Sequence, residues 1–203
     1  MTDRFLALGD SLTAGYGVGL SRSFATLYYQ NLSLGYPELR YVNLGMNGLT
    51  SGHLVSMLGH SKLRSILPEA RIITITVGSN DLLRIGKGMI NGERVDPDFV
   101  LRDFWQNMFL LGESIRRINA STTIKVATIY NPLPPLDKSI KTFVHTLLKS
   151  ANQCISHMAR EYGGVVIPVA KAFQGKEQAL LGPDRFHPSV AGHKVMAELF
   201  ARY

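Results

Sequence analysis

Five short apolar runs punctuate the chain, each closed by glycine, proline or small polar residues and each followed by a segment long enough for a helix. They are Phe5–Leu8, Arg40–Leu44, Arg71–Val77, Thr123–Tyr130 and Gly164–Val169. Runs of this length, rich in Ile, Val and Thr and bounded by turn residues, read as strands, and buried on both faces where polar alternation is lacking. Connections this long suit parallel neighbours, because an antiparallel hairpin needs only a few residues and a crossover needs a dozen or more. The expected fold is therefore α/β: a three-layer α/β/α sandwich with a five-stranded, mostly parallel sheet, for which the flavodoxin-like order 2-1-3-4-5 is the expectation at this length.

The intervening segments support helices of known phase. Ser21 caps a first helix through Phe24, Leu27, Tyr28 and Leu32, ended by Gly35-Tyr36-Pro37, and Leu54, Val55 and Leu58 mark a second. Residues 84–98 contain Gly86, Gly88, Gly92 and Pro97 among apolar residues and read as a long loop. A helix is expected from about Pro97 to Asn119, another over 139–161, and a closing helix capped by Ser189. Between them, Asn131 to Leu136 reads as a rigid, proline-rich loop. With 203 residues and 45% apolar content, one domain spanning the whole chain is expected.

Composition removes several classes of function. The formal charge of +7 comes from basic residues that are scattered, never more than two in a row as at Arg116-Arg117, so no clustered stripe for nucleic acid is present. The lone Cys154 excludes an internal disulfide and suits a small apolar role in a helix. No apolar run approaches the ~18 residues of a membrane span, and the first strand starts too early for a signal peptide. A cytoplasmic protein without stable membrane insertion is expected as given; trimming of an export or anchor segment would make it secreted or membrane-anchored.

In a parallel sheet the strand carboxyl ends share one edge, so the residues after each run should ring one crevice. Ser11, in Gly9-Asp10-Ser11, is the candidate nucleophile there; the competing reading is a helix cap or turn. Asp184 and His187, three apart across a turn, can place a carboxylate on Nδ1 and leave Nε2 free to take a proton, with Pro188 stiffening the base. Alternatively they form a surface loop with a capping Asp. A serine attacking a carbonyl needs donors where negative charge develops, and the Ser11 N–H, the Gly48 N–H and the Asn80 side-chain amide are available. A turn requirement would also explain Gly48, and a helix cap Asn80. There is no G-x-S-x-G elbow and no P-loop. A zinc site from Asp184, His187 and His193 lacks a supporting ligand motif, and His193 is expected to be solvated on its helix. His53, His60, His145 and His157 show no partner spacing.

Taken in order, Gly9-Asp10-Ser11-Leu12, Gly48 within Asn43 to Gly48, Gly78-Ser79-Asn80-Asp81 and Asp184-Arg185-Phe186-His187-Pro188 resemble the four sequence blocks of the SGNH (GDSL-type) hydrolases. The resemblance runs from residue 5 to the C-terminus and implies a flavodoxin-like sandwich and a serine esterase or lipase that uses no metal or cofactor. By that similarity Ser11 is the nucleophile, His187 the base and Asp184 its orienting partner. Gly48 and Asn80 complete the oxyanion hole with Ser11, and Gly78 supplies the turn that presents Asn80. The partner it implies is a small-molecule ester. Apolar residues in the flanking segments, Ile85, Met89, Ile90, Tyr130 and Leu133, favour an acyl chain, hence a lipid-like substrate. A carbohydrate O-deacetylase, a thioesterase or a non-catalytic flavodoxin-like binding module are the alternatives.

Overall fold

The computed structural model describes residues 3–132 and 138–203. Strands β1 (Arg4–Gly9), β2 (Arg40–Gly45), β3 (Ala70–Thr76), β4 (Thr123–Ala127) and β5 (Val165–Ile167) form a sheet in the order β2-β1-β3-β4-β5, with every neighbouring pair parallel. Helices α1 (Ser11–Ala14), α2 (Phe24–Gly35), α3 (Ser51–Leu58), α4 (Ser61–Ile66) and α5 (Ser79–Asn91) lie in the first three connections. The later ones are α6 (Pro97–Ile118), α7 (Lys138–Glu161), α8 (Val169–Phe173), α9 (Glu177–Leu180) and α10 (Val190–Arg202).

Central strand β1 explains the two-sided core. Leu6 and Leu8 point into one apolar cluster with Phe104, Met108 and Ile155, while Phe5 and Ala7 point into the other with Phe24, Phe173 and Phe200. Alternation across the pleat thus serves both faces at once, which is why the run carries no polar residue before Gly9. On one face α6 buries Val100, Phe104, Met108, Leu111 and Ile115, an amphipathic stripe that starts where Asp96 caps the helix through the Asp98 amide at 2.9 Å. Cys154 is fully buried in the same cluster, and burial pushes its thiol up to about 12.

Several local expectations are corrected. Residues 84–91 are not loop but the continuation of α5, which ends at a left-handed Gly92. Gly content argued for a loop, yet the helix is amphipathic and buries Ile85 against Val100 and Leu147, so packing outweighs the intrinsic penalty of its two internal glycines. Helix α2 begins at Phe24, with Ser23 rather than Ser21 as its cap, because a single 3-10 turn over Leu20–Arg22 precedes it. Helices α6, α7 and α10 fall where the sequence places them, within one or two residues. Of the Asn131 to Leu136 loop, residues 133–136 lie outside the described residues.

Phe104 is fully buried between α6 and the turn after β3. Truncation to Ala is expected to cost about 3–5 kcal/mol, read as a lower urea midpoint at unchanged slope.

Candidate active site

The register of β1 between β2 and β3 sets Gly9 beside Gly45 and Thr76, so three connections leave the sheet at one point. Asp10 accepts the Leu12 amide at 3.0 Å, capping α1, and the Thr76 hydroxyl at 2.9 Å, tying that cap to β3. One helical turn is unstable alone, and here it is held from below by Thr13, whose hydroxyl lies 2.7 Å from that of Thr76. Ser11 opens this turn. It is therefore neither the cap nor a free loop residue, and its Oγ is displayed at the sheet edge.

The loop from Gly182 to Pro188 brings the imidazole to that hydroxyl. Gly182 donates to the His187 carbonyl at 2.7 Å, Ser189 to that of Leu180 at 2.8 Å, and Tyr130 Oη to that of Phe186 at 2.8 Å. His187 Nε2 lies 3.0 Å from Ser11 Oγ and Nδ1 lies 2.6 Å from Asp184 Oδ2. The other Asp184 oxygen accepts the Phe186 and His187 amides, both at 3.0 Å, so one carboxylate shapes the loop and orients the ring. Partial burial alone would raise the Asp184 carboxyl, but the hydrogen bonds from the His187 ring and the two amides hold it below the ordinary value.

Two further segments close the ring. Met46 donates its N–H to the Gly9 carbonyl at 2.9 Å, anchoring the loop that carries Gly48. Gly48 has φ +78° and a Cβ there would meet nothing within 4 Å, so the backbone conformation, not crowding, calls for glycine, and the space beside it is open. Gly78, at φ +110°, starts α5 and turns the chain so that Asn80 falls in the first helical turn. Asn80 Nδ2 donates to the Leu49 carbonyl at 2.9 Å, which fixes the amide and leaves its second hydrogen without a partner among the described residues. The capping alternative for Asn80 is not what the structure places there.

The remaining candidates fall elsewhere. Ile85 is 1% exposed inside its own small cluster, and Tyr130 is 7% exposed, stacked on Phe173 with ring centroids 4.6 Å apart. Neither presents a surface to a ligand; Tyr130 instead supports the loop carrying His187. Leu133 and the side chains of Met89 and Ile90 lie outside the described residues. His193 is corrected from solvated to fully buried: its Nδ1 accepts the Phe24 amide at 3.1 Å, and burial lowers its pKa to about 4. With Nδ1 so occupied, its ring serves α2 rather than a metal shared with His187. Tyr16, missed in the sequence, lies over the imidazole with ring centroids 4.3 Å apart while remaining 48% exposed. The available signal was its position in the same glycine-rich turn as Ser11.

The family model for the GDSL-like lipase/acylhydrolase family matches residues 7–195. The chain belongs to that family. It is a carboxylic ester hydrolase. The GDSL-family hydrolase is 30% identical over 211 residues to the spore germination lipase LipC of Bacillus licheniformis, covering 98% of this chain and 94% of that protein. It is similar to the solved structure of the lipase Lip_vut3 from a goat rumen metagenome, with TM-score 0.78, 26% identity and coverage of 99% and 97%. An acetylxylan esterase from Geobacillus stearothermophilus, Axe2, shares the fold at TM-score 0.73 and 22% identity, with coverage of 98% and 93%. Among the described residues no helix of the GDSL-family hydrolase is long and apolar enough to cross a membrane.

Beside Ser11, burial raises the Asp10 carboxyl from 3.8 to about 6, against the hydrogen bonds from Leu12 and Thr76 and with a small push from the Asp81 charge. The folded state thus holds a proton that the unfolded chain has released, so this group's contribution to stability is full below pH 3.8 and is lost as the pH rises through about 6. The difference across that window is about 3 kcal/mol. Asp10→Asn is expected to flatten the fall in unfolding free energy between pH 4 and pH 7, measured by urea denaturation at each pH; an unchanged slope would place the titration elsewhere.

Proposed function

We propose that this GDSL-family hydrolase cleaves carboxylic esters in two steps through an acyl-enzyme on Ser11. The observation that carries the reading is the continuous hydrogen-bonded series from Ser11 Oγ through the His187 ring to Asp184. His187 Nε2 takes the Ser11 proton as Oγ attacks the ester carbonyl, and Asp184 holds the ring and stabilises the imidazolium. The oxyanion is met by the Ser11 and Gly48 amides and by the second hydrogen of Asn80 Nδ2. Collapse of the tetrahedral intermediate expels the alcohol, which receives the proton from His187. Water, deprotonated by the same ring, then attacks the acyl-enzyme and releases the acid.

An acyl-lipid or small acyl ester is the substrate class this reading favours. Tyr16 and Met46, 48% and 52% exposed, put apolar surface on the two loops that leave the sheet beside Ser11. The named activity of the Bacillus licheniformis relative points the same way. An acetyl-sugar substrate draws support only from a shared fold.

Ser11→Ala is expected to abolish labelling by a fluorophosphonate and to lower kcat by about 10⁴-fold or more while leaving the circular dichroism spectrum unchanged. Labelling that persists in this variant would refute the nucleophile assignment. Asn80→Ala should lower kcat by about 10²–10³-fold. A series of p-nitrophenyl esters from acetate to palmitate is expected to peak beyond acetate. An acetate-only profile would overturn the acyl-lipid reading and favour a deacetylase.

A further inference from the structure

The oxyanion donors assigned to Gly48 and Asn80 sit on separate elements, the loop before α3 and the first turn of α5, so neither element alone sets the distance between them. Buried hydrogen bonds join the two. Asp81 accepts the Ser51 amide at 3.2 Å on Oδ1 and 3.0 Å on Oδ2, and the Ser51 hydroxyl at 2.6 Å on Oδ1. Ser51 is the first residue of α3, and Asn107 from α6 donates to its Oγ at 3.1 Å, which leaves the hydroxyl hydrogen directed at Asp81. Asp81 is 3% exposed and Ser51 1%, so these bonds lie away from solvent, where a partner removed leaves a buried polar group unsatisfied.

We infer that Asp81 is a positioning residue for the oxyanion site, holding the Gly48 loop and the Asn80 amide at a fixed separation through Ser51. The inference rests on the proposed role of Gly48 and Asn80. Its geometry is a pair of staples. Asn80 and Asp81, adjacent on α5, bond to Leu49 O and to Ser51, two residues apart where the facing loop enters α3. One bond would fix a distance; two such bonds side by side also prevent the loop from rotating about it. Thr50 caps α3 locally through the His53 amide at 3.3 Å, and Asp81 takes a further free donor of the same helix end, the Ser51 N–H, so a side chain of α5 fixes where α3 begins. Burial raises the Asp81 carboxyl and the Asp103 charge adds to this, so the carboxylate sits where ionisation is disfavoured, held by donors from Ser51.

The test compares Asp81→Asn, Ser51→Ala, Ser51→Thr and Asn80→Ala with the parent protein. For each, kcat and KM on p-nitrophenyl butyrate are measured per active site titrated with fluorophosphonate, together with the inhibition constant of an alkyl boronic acid that forms a tetrahedral adduct on Ser11. Asp81→Asn places an amide against the Ser51 N–H and is expected to lower kcat about 10²-fold with little change in KM, the scale of a misplacement near 1 Å. Boronate affinity should fall in the same proportion, because that adduct uses the oxyanion donors and the ground state does not. Ser51→Ala, which keeps the amide bond, should lose less, and Ser51→Thr, which keeps the hydroxyl, should recover the parent values. Parent kcat and boronate affinity in folded Asp81→Asn, beside a clear loss in Asn80→Ala, would overturn this inference and leave the proposed function standing. Parent kcat in Asn80→Ala would overturn the oxyanion reading and the inference with it. If Asp81→Asn does not fold, Ser51→Ala decides: a loss confined to kcat and boronate affinity supports the inference, and parent values of both overturn it.

Discussion

The parallel register that seats β1 between β2 and β3 is the constraint on which the site depends. It sets Gly9, Gly45 and Thr76 side by side, so the chain leaves the sheet three times from adjacent strands and toward the same edge. That alignment in turn depends on Phe5 to Leu8 being apolar on both faces. A polar residue in that run would have to face one of the two cores unpaired, at a cost comparable to a lost hydrogen bond or more. The apolar interior thus fixes where the polar edge is, and at that edge Ser11, His187 and Asp184 are hydrogen-bonded in series.

Above that edge the structure changes character, from packing to directed hydrogen bonds. Asp10 with Thr76 and Thr13 holds the turn bearing Ser11, Asp184 with its own loop amides holds His187, and Asp81 accepts the amide and hydroxyl of Ser51 at the start of α3. In each case a carboxylate accepts from backbone amides or hydroxyls of the segment it orders. Such contacts have angular preferences that apolar contacts lack, which suits groups whose work requires a defined direction. Two of these carboxylates, Asp10 and Asp81, are buried and raised, so the site is built partly from groups held against their ionisation preference.

Much of this was legible in the residues. The five runs, their parallel arrangement and the gathering of Ser11, Gly48 and Asn80 at one edge follow from strand length, connection length and the position of glycine and small polar residues; Asp184 and His187 join that edge only if the final helix packs back on the sheet, which the fold decides. Where local reading failed, a tertiary contact outweighed an intrinsic tendency. Gly86 and Gly88 suggested a loop, but Leu82 and Ile85 give that segment a face that packs, and the helix forms. His193 carries a polar ring on a helix and reads as exposed, yet it closes over the N-terminus of α2 and accepts the Phe24 amide. Ile85 and Tyr130 read as pocket lining because apolar residues near a site look alike whether they face a ligand or the interior.

By itself the sequence determined the alternation of strands and helices, because periodicity and turn residues act over a few neighbours and need no distant partner. It also determined which residue types could do acid, base or nucleophilic work. The tertiary structure alone decided that His187 reaches Ser11 across 176 positions, that Tyr16 lies over the same imidazole, and that Asp81 addresses Ser51 rather than solvent. Those outcomes depend on how the sheet twists and how the helices seat against it, quantities set by the packing of the whole core and written in no single stretch of chain.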